Sequence, residues 1–320
     1  MRPKLFVLLA GLLVSTAALS QAWPSKPIRV IVPMPPGSGQ DILSRKIGEE
    51  LRPRLNQPFV IDLRPGGANL PAMEACKNAA PDGYTVCILS VTSHSLNPNV
   101  FSKLPYDPER DFTPIANLYS QIEALMVAAN VPASNAGELK TLAVSKPGAL
   151  NFGTLGQGSG PDLFRQWLGD GWNTRFADIP YKGGNLIITA LVAGEIDLGW
   201  IGAYNAVAQQ KSGKIRFLAI GSQKRLRLLP DVPTVPEMGL GDKPLSPYVA
   251  WGGPAGIPEA IVTRLSSELQ RVFSDERFNE YLESQYLENQ FSGPQELAAY
   301  MRKDREAFGR LVKKYNVPRQ

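Results

Sequence analysis

The sequence predicts an α/β protein of two lobes, each lobe a mostly parallel sheet flanked by helices. Between Lys26 and Leu89 short β-rich runs alternate with helical periodicity in the order βαβαβ, and from Gln121 a fresh alternation runs to Ile220. Size adds a third argument. A chain of 320 residues, 43% hydrophobic and 20% charged, has ordinary globular composition and suits two cores of usual size better than one large one.

The chain opens on a leader. MRPK is basic, Leu5 to Leu19 is almost wholly apolar, and Ser20-Gln21-Ala22 supplies small residues before Trp23, so residues 1–22 are expected to be a secretory signal peptide cleaved after Ala22. A retained anchor needs about 20 apolar residues, more than this run contains. No cysteine stands at the cut to carry a lipid, and no later run is long and apolar enough to span a bilayer.

Lys26-Pro27-Ile28-Arg29-Val30-Ile31-Val32 predicts the first strand, ended by the tight loop Pro33-Met34-Pro35-Pro36-Gly37-Ser38-Gly39. Leu43, Ile47, Leu51 and Leu55 then recur every fourth residue, the stripe of a helix with one buried face. Pro53 predicts an end or kink near Leu51. Phe59, Ile61 and Leu63 alternate as a second strand, Arg64-Pro65-Gly66-Gly67 turns the chain, residues 69–79 form a helix, and Tyr84 to Leu89 a third strand.

From Gln121 a strand runs to Ala129, followed by a helix over Glu138 to Val144 and a strand over Leu150 to Thr154. Helices from Pro161 to Leu168, Asn185 to Ala193 and Tyr204 to Lys211 alternate with strands Ile196 to Trp200 and Ile215 to Ile220. The helical runs Pro258 to Phe273 and Pro294 to Tyr315 need a sheet to cover, which predicts a return to the first lobe. The expected layout is therefore 23–121 with 249–320 as lobe one and 122–248 as lobe two, hinged near Gln121 and Tyr248.

Cys76 falls late on the second helix and Cys87 in the next strand, with the turn Pro81-Asp82-Gly83 bringing them together. In an oxidising compartment the pair reads first as one disulfide; two separate buried thiols are the other reading. The net charge of +5 includes Arg2 and Lys4 of the leader, and no dense basic run exists, so nucleic acid is not an expected partner.

Two glycine-rich turns, Gly37-Ser38-Gly39 and Gly156-Gln157-Gly158-Ser159-Gly160, each lie between a predicted strand and a predicted helix, one in each half. A helix N-terminus carries unpaired N–H groups and about half a positive charge, and glycine lets a ligand approach that backbone. Two lobes facing each other would set two such anion seats across one cleft. For any single glycine, a tight turn without function explains as much. Asp41 and Asp162 fall in the first turns of their helices, where capping is the default role.

Catalytic and cofactor signals are weak. The first turn is G-x-G-x-x-I, with Ile42 where a dinucleotide fold needs glycine, and no phosphate-binding G-x-x-x-x-G-K-[ST] occurs. The single histidine, His94, sits between Ser93 and Ser95 without a G-x-S-x-G elbow, and one histidine with two cysteines eleven apart makes no metal spacing. No cofactor or metal is expected. Trp200, Tyr204 and Tyr181 could wall a cleft or simply pack.

Trp23-Pro24-Ser25-Lys26-Pro27-Ile28-Arg29, Val32-Pro33-Met34-Pro35-Pro36-Gly37 with Asp41-Ile42-Leu43, Arg64-Pro65-Gly66, Ala80-Pro81-Asp82-Gly83-Tyr84, Leu104-Pro105-Tyr106-Asp107, Pro180-Tyr181-Lys182-Gly183 and Pro230-Asp231-Val232-Pro233-Thr234 together resemble one family. It is the tripartite tricarboxylate transporter substrate-binding proteins, the Bug (TctC-type) periplasmic receptors, and the likeness covers essentially the whole chain after the leader.

The resemblance implies a periplasmic-binding-protein-like Venus flytrap of type II, a non-enzymatic monomer whose cleft holds a small carboxylate for membrane permease subunits of a tripartite tricarboxylate transporter. It implies ligand contacts from Pro35, Gly37, Ser38, Gly39, Gln40 and Asp41 on one lobe and from Gly156, Gln157, Gly158, Ser159 and Asp162 on the other. Ser90, Ser93 and His94 match a further cleft loop, and Tyr181, Ile201 and Tyr204 complete the candidate set. Many members carry aspartate where Ile201 stands, a residue suited to a ligand's amino group, so a carboxylate with an apolar or aromatic body is favoured over an amino acid. The loop Arg64 to Asn69 is one residue shorter than usual, and Pro161 replaces a serine-like helix start, which a first helical position accommodates. A secreted hydrolase using His94, or a ligand-sensing partner of a receptor kinase, are the alternatives.

Overall fold

The structure, a computed structural model, describes residues 23–240 and 247–319; the expected leader and its cleavage point lie outside the described residues. In chain order the first part holds β1 (Ile28–Val32), α1 (Gly39–Leu55), β2 (Phe59–Leu63), α2 (Leu70–Lys77), β3 (Thr85–Ser90), a wide π-type turn (Thr92–Leu96), α3 (Asn97–Val100) and β4 (Phe112–Gln121). The middle holds β5 (Glu123–Ala128), α4 (Ala136–Ser145), β6 (Asn151–Thr154), α5 (Gly160–Trp172), β7 (Ala177–Pro180), α6 (Gly184–Ala193), β8 (Leu198–Gly202), α7 (Val207–Lys211) and β9 (Ile215–Ile220). The last part returns with β10 (Tyr248–Pro254), α8 (Glu259–Phe273), α9 (Glu276–Ser284), β11 (Leu287–Ser292) and α10 (Pro294–Lys314).

Two sheets result, ordered β11-β4-β10-β3-β1-β2 and β7-β6-β8-β5-β9. The α/β architecture of two lobes matches the sequence prediction, but the sheets are mixed rather than mostly parallel. β1 pairs in parallel with β2 and β3, and β6 with β7 and β8, while β10 and β11 run antiparallel to β4, β10 to β3, and β5 to β8 and β9. The cause lies in the crossing. β4 leaves the first sheet at the junction, β5 enters the second there, and β10 re-enters the first, so strands on either side of a crossing must point opposite ways.

Leu43, Ile47, Leu51 and Leu55 are all buried, as their spacing predicts, each worth roughly 1.5–3 kcal/mol. The helix runs through Pro53 to Leu55 and stops at Asn56 in left-handed geometry, which corrects the expected break. Proline there removes only one bond in the last turn. Buried Leu51 and Leu55 hold that turn down. β4 itself escapes sequence reading because Pro114 and Asn117 interrupt it; two bulges opposite Val249/Ala250 and Trp251/Gly252 absorb them. Cys76 and Cys87 are joined, with Cα atoms 6.1 Å apart, tying α2 to β3.

Candidate functional site

The carboxyl ends of β1, β3, β6 and β8 all face the junction between sheets, so the loops that follow them begin there. Gly37-Ser38-Gly39-Gln40-Asp41 and Gly158-Ser159-Gly160-Pro161-Asp162 are there the same device. Gly37 (φ 76°) and Gly158 (φ 79°) take the left-handed backbone that glycine favours, and Ser38 and Ser159 follow in extended geometry as helix caps.

The bonds repeat as well. Asp41 N–H donates to Ser38 Oγ at 3.3 Å, and Asp41 Oδ2 accepts the Gly37 N–H at 2.9 Å. Asp162 N–H donates to Ser159 Oγ at 3.4 Å, and Asp162 Oδ2 accepts the Gly158 N–H at 2.8 Å. Each is a variant of the reciprocal capping box. Each aspartate also carries its own cation: Arg45 Nε donates to Asp41 Oδ1 at 2.8 Å, and Arg165 Nη2 to Asp162 Oδ1 at 2.6 Å. The default capping role of both aspartates is what the structure displays.

Each carboxylate thus offsets the positive end of its own helix. Among the described residues no partner takes the N–H groups of Gly39, Gln40 or Gly160, and a side chain added at Gly37, Gly156 or Gly160 would meet open space. Pro35, Gly37 and Gln157 are exposed, Ser38, Gly39, Gly156 and Ser159 partly so, and Gln40 is buried with its Oε1 unpartnered. Arg45 and Arg165 were not singled out from the sequence. Their i+4 and i+3 spacing from the aspartates was the available signal.

The loop after β3 turns inward instead. Asn69 Nδ2 donates to Ser90 Oγ at 3.2 Å, the Ser90 N–H to Ser93 Oγ at 3.1 Å, and Ser93 Oγ lies 2.9 Å from His94 Nδ1. Ser93 and His94 are fully buried and Ser90 nearly so, and the three form one hydrogen-bonded wall behind the end of β3. The His94 ring meets Phe112 edge-on at 5.0 Å, Arg305 Nη1 donates to its carbonyl, and burial pushes its pKa down to about 3, with Arg305 adding to the effect. Ser93 Oγ also lies 3.2 Å from the Ser90 carbonyl, and His94 Nε2 has no partner among the described residues.

On the second lobe Ile201 is buried in β8 opposite Ala124, Tyr181 is partly exposed, and Tyr204 is 38% exposed, close over Gly202, with its ring 3.9 Å from where a side chain added at Gly39 would begin. Trp200, a possible wall residue, stacks on Phe164 at 3.6 Å within the core. Exposed Ile42, Leu155 and Leu186 add apolar surface near the same loops. A cavity of about 140 Å³ opens beside the first glycine turn, lined by Gly37, Gly39, Ile42, Leu43, Tyr119, Gln121, Tyr281, Gln285 and Leu287 of the first lobe, with Tyr204 closing it from the second and no residue of the Gly156–Asp162 turn among them. A larger hollow of about 770 Å³ sits between α8 and α10, away from both glycine turns. Among the described residues there is no group of three metal-ligating side chains and no helix long and apolar enough to cross a membrane.

Residues 43–317 match the family model of the tripartite tricarboxylate transporter family receptor. The chain belongs to this receptor family. A UPF0065 protein of Bordetella pertussis is 28% identical over 98% of this chain and 96% of its own. An R. palustris protein solved with adipate superposes with a TM-score of 0.82 at 26% identity, over 93% of this chain and all of that one. MatC from Rhodopseudomonas palustris, solved with bound malate, gives 0.74 at 27% identity, over 91% of this chain and 100% of that one. The receptor family consists of binding proteins, and this chain is one rather than an enzyme.

Proposed function

We propose that this receptor works in the periplasm and captures a small carboxylate, a di- or tricarboxylate or an aromatic acid, between its lobes for the permease subunits of a tripartite tricarboxylate transporter. The observation that carries the reading is the doubled G-S-G-x-D turn, one copy at the mouth of each sheet. Each copy presents helix N–H groups whose rear is already charge-balanced, so two carboxylate ends can be held at once. The adipate and malate of the two R. palustris neighbours agree with an acid of that length. Ile201, Tyr204, Ile42 and Leu186 offer the acid's body an apolar lining.

The lobes in this reading are 23–121 with 249–320 and 122–248, closing as a monomer by hinge motion at the two crossings. Pro35, Gly37 to Asp41, Ser90, Ser93, His94, Gly156 to Ser159, Asp162, Tyr181, Ile201 and Tyr204 surround the ligand, and a leader cut after Ala22 delivers the protein.

A melting-shift screen of adipate, malate, citrate, benzoate and glutamate tests the proposal, because a ligand at 100 times its Kd stabilises by about 2.7 kcal/mol. Protein refolded from denaturant excludes a carried-over ligand. A Tm unmoved by every acid at millimolar concentration, before and after refolding, would sink it.

A further inference from the structure

The two glycine turns are alike in sequence and bonding but not in what lies behind them. A side chain added at Gly37 would meet nothing, whereas one at Gly158 would strike Val317 Cγ1 at 2.5 Å: the valine's methyl rests on the glycine itself. Val317 comes from the end of the chain.

It arrives there by a defined helix stop. The last helix, α10, is 21 residues long, about 31 Å, and ends with Asn316 in left-handed geometry. The Asn316 N–H donates to the Lys313 carbonyl and the Val317 N–H to the Val312 carbonyl, the two bonds of a Schellman motif. That stop aims Val317 at the second lobe. Beside it, Tyr315 Oη donates to Asp170 Oδ2 at 3.0 Å, Lys314 pairs with the same carboxylate, and Val317 is buried with Phe308, Val100 and Leu163 of α5. Higher up, Arg305 of α10 holds the His94 carbonyl of the first lobe's wall, and Asn99 Nδ2 donates to the Arg305 carbonyl.

We propose that α10 and its Schellman stop form a strut across the two lobes, with Val317 as the positioning residue that sets the Gly158–Asp162 turn relative to the first lobe. It is a third tether beside the strand crossings at Gln121 and Tyr248. Its part in ligand affinity rests on the carboxylate reading; its mechanical part does not.

Native-state hydrogen exchange on the ligand-free mature chain separates the two, because the Gly37 turn is an internal control. In Val317→Asp the amides of Gly158, Asp162 and Leu163 should exchange about tenfold faster or more, the loss of one buried valine contact, while Gly37, Asp41 and Ile42 keep wild-type rates. The double variant Tyr315→Phe/Asp170→Asn should move the same amides in the same direction. Equal loosening of both turns, or of neither, overturns the strut. Val317→Ala, which leaves a cavity instead of a buried charge, decides the matter if Val317→Asp does not fold. Adipate titration is the second arm: about tenfold weaker binding in Val317→Ala is expected. Adipate failing to bind the wild type counts against the ligand reading and leaves the exchange result to judge the strut.

Discussion

His94 Nδ1 stands 2.9 Å from Ser93 Oγ, and neither side chain reaches solvent. The contact fixes a neutral imidazole in an apolar pocket between Tyr106 and Phe112.

That neutrality makes part of the stability acid-sensitive. His94 titrates near 6.5 when unfolded and at about 3 in the fold, so between those values the unfolded chain holds one more proton. Stability from this group is complete above pH 6.5 and is lost as pH falls toward 3, at up to about 1.4 kcal/mol per pH unit. Urea melts at pH 4.5 and 7.5 should lose this slope in His94→Gln; an unchanged slope refutes it.

Asp304 has the opposite sign. Burial raises its pKa from 3.8 to about 6 against the pull of the Ser95 hydroxyl and Arg305, and Tyr300 and Tyr248 also face it. The fold then holds the extra proton between those values, so this group's contribution is present below pH 4 and lost as pH rises through 6. Asp304→Asn should stabilise the protein at pH 7.5 by about 1 kcal/mol or more and change little at pH 4. Denaturant midpoints at the two pH values measure it.

The two capping aspartates should not be equal in cost. Arg45 is half exposed, while Arg165 is largely buried beside Asp162, where Gln166 adds a bond at 3.0 Å. Asp41→Ala is expected to cost about 1–2 kcal/mol, as lost caps do, and Asp162→Ala about 3–5 kcal/mol, as a broken buried pair does. Reversed or equal losses in urea unfolding would contradict the assignment.

Ile201→Asp should convert the acid preference. A carboxylate beside Gly184, which Ile201 Cδ1 approaches at 3.7 Å from an added Cβ, disfavours the apolar body of adipate and can hold the amino group of glutamate. Calorimetric titration should find at least about tenfold weaker adipate binding and a gain for glutamate, the scale of one charged hydrogen bond. Parallel changes for both acids would mean that Ile201 does not select.

Much of the site was legible because local physics writes it locally. The fourfold spacing of Leu43 to Leu55, the G-S-G turn before it, and the cysteines on either side of Pro81-Asp82-Gly83 each act within a few residues. The likeness of the two turns was also written in the chain, as Gly37 to Asp41 against Gly158 to Asp162, but the preceding Gly156-Gln157 obscures the alignment. Thr92 to Leu96 reads as a polar loop, and nothing nearby says otherwise. Its burial comes from Tyr106, Phe112 and Arg305, the last more than 200 residues away.

By itself the sequence determined the alternation of strand and helix, the two glycine turns that open helices, and the family. Tertiary structure alone decided the direction of the strands, the burial of the Ser90 to His94 side chains, and the contact of Val317 with Gly158. Periodicity and capping are properties of neighbours along the chain. Strand direction, burial and inter-lobe contact depend on which distant segments share a junction, and that is settled only when both sheets pack.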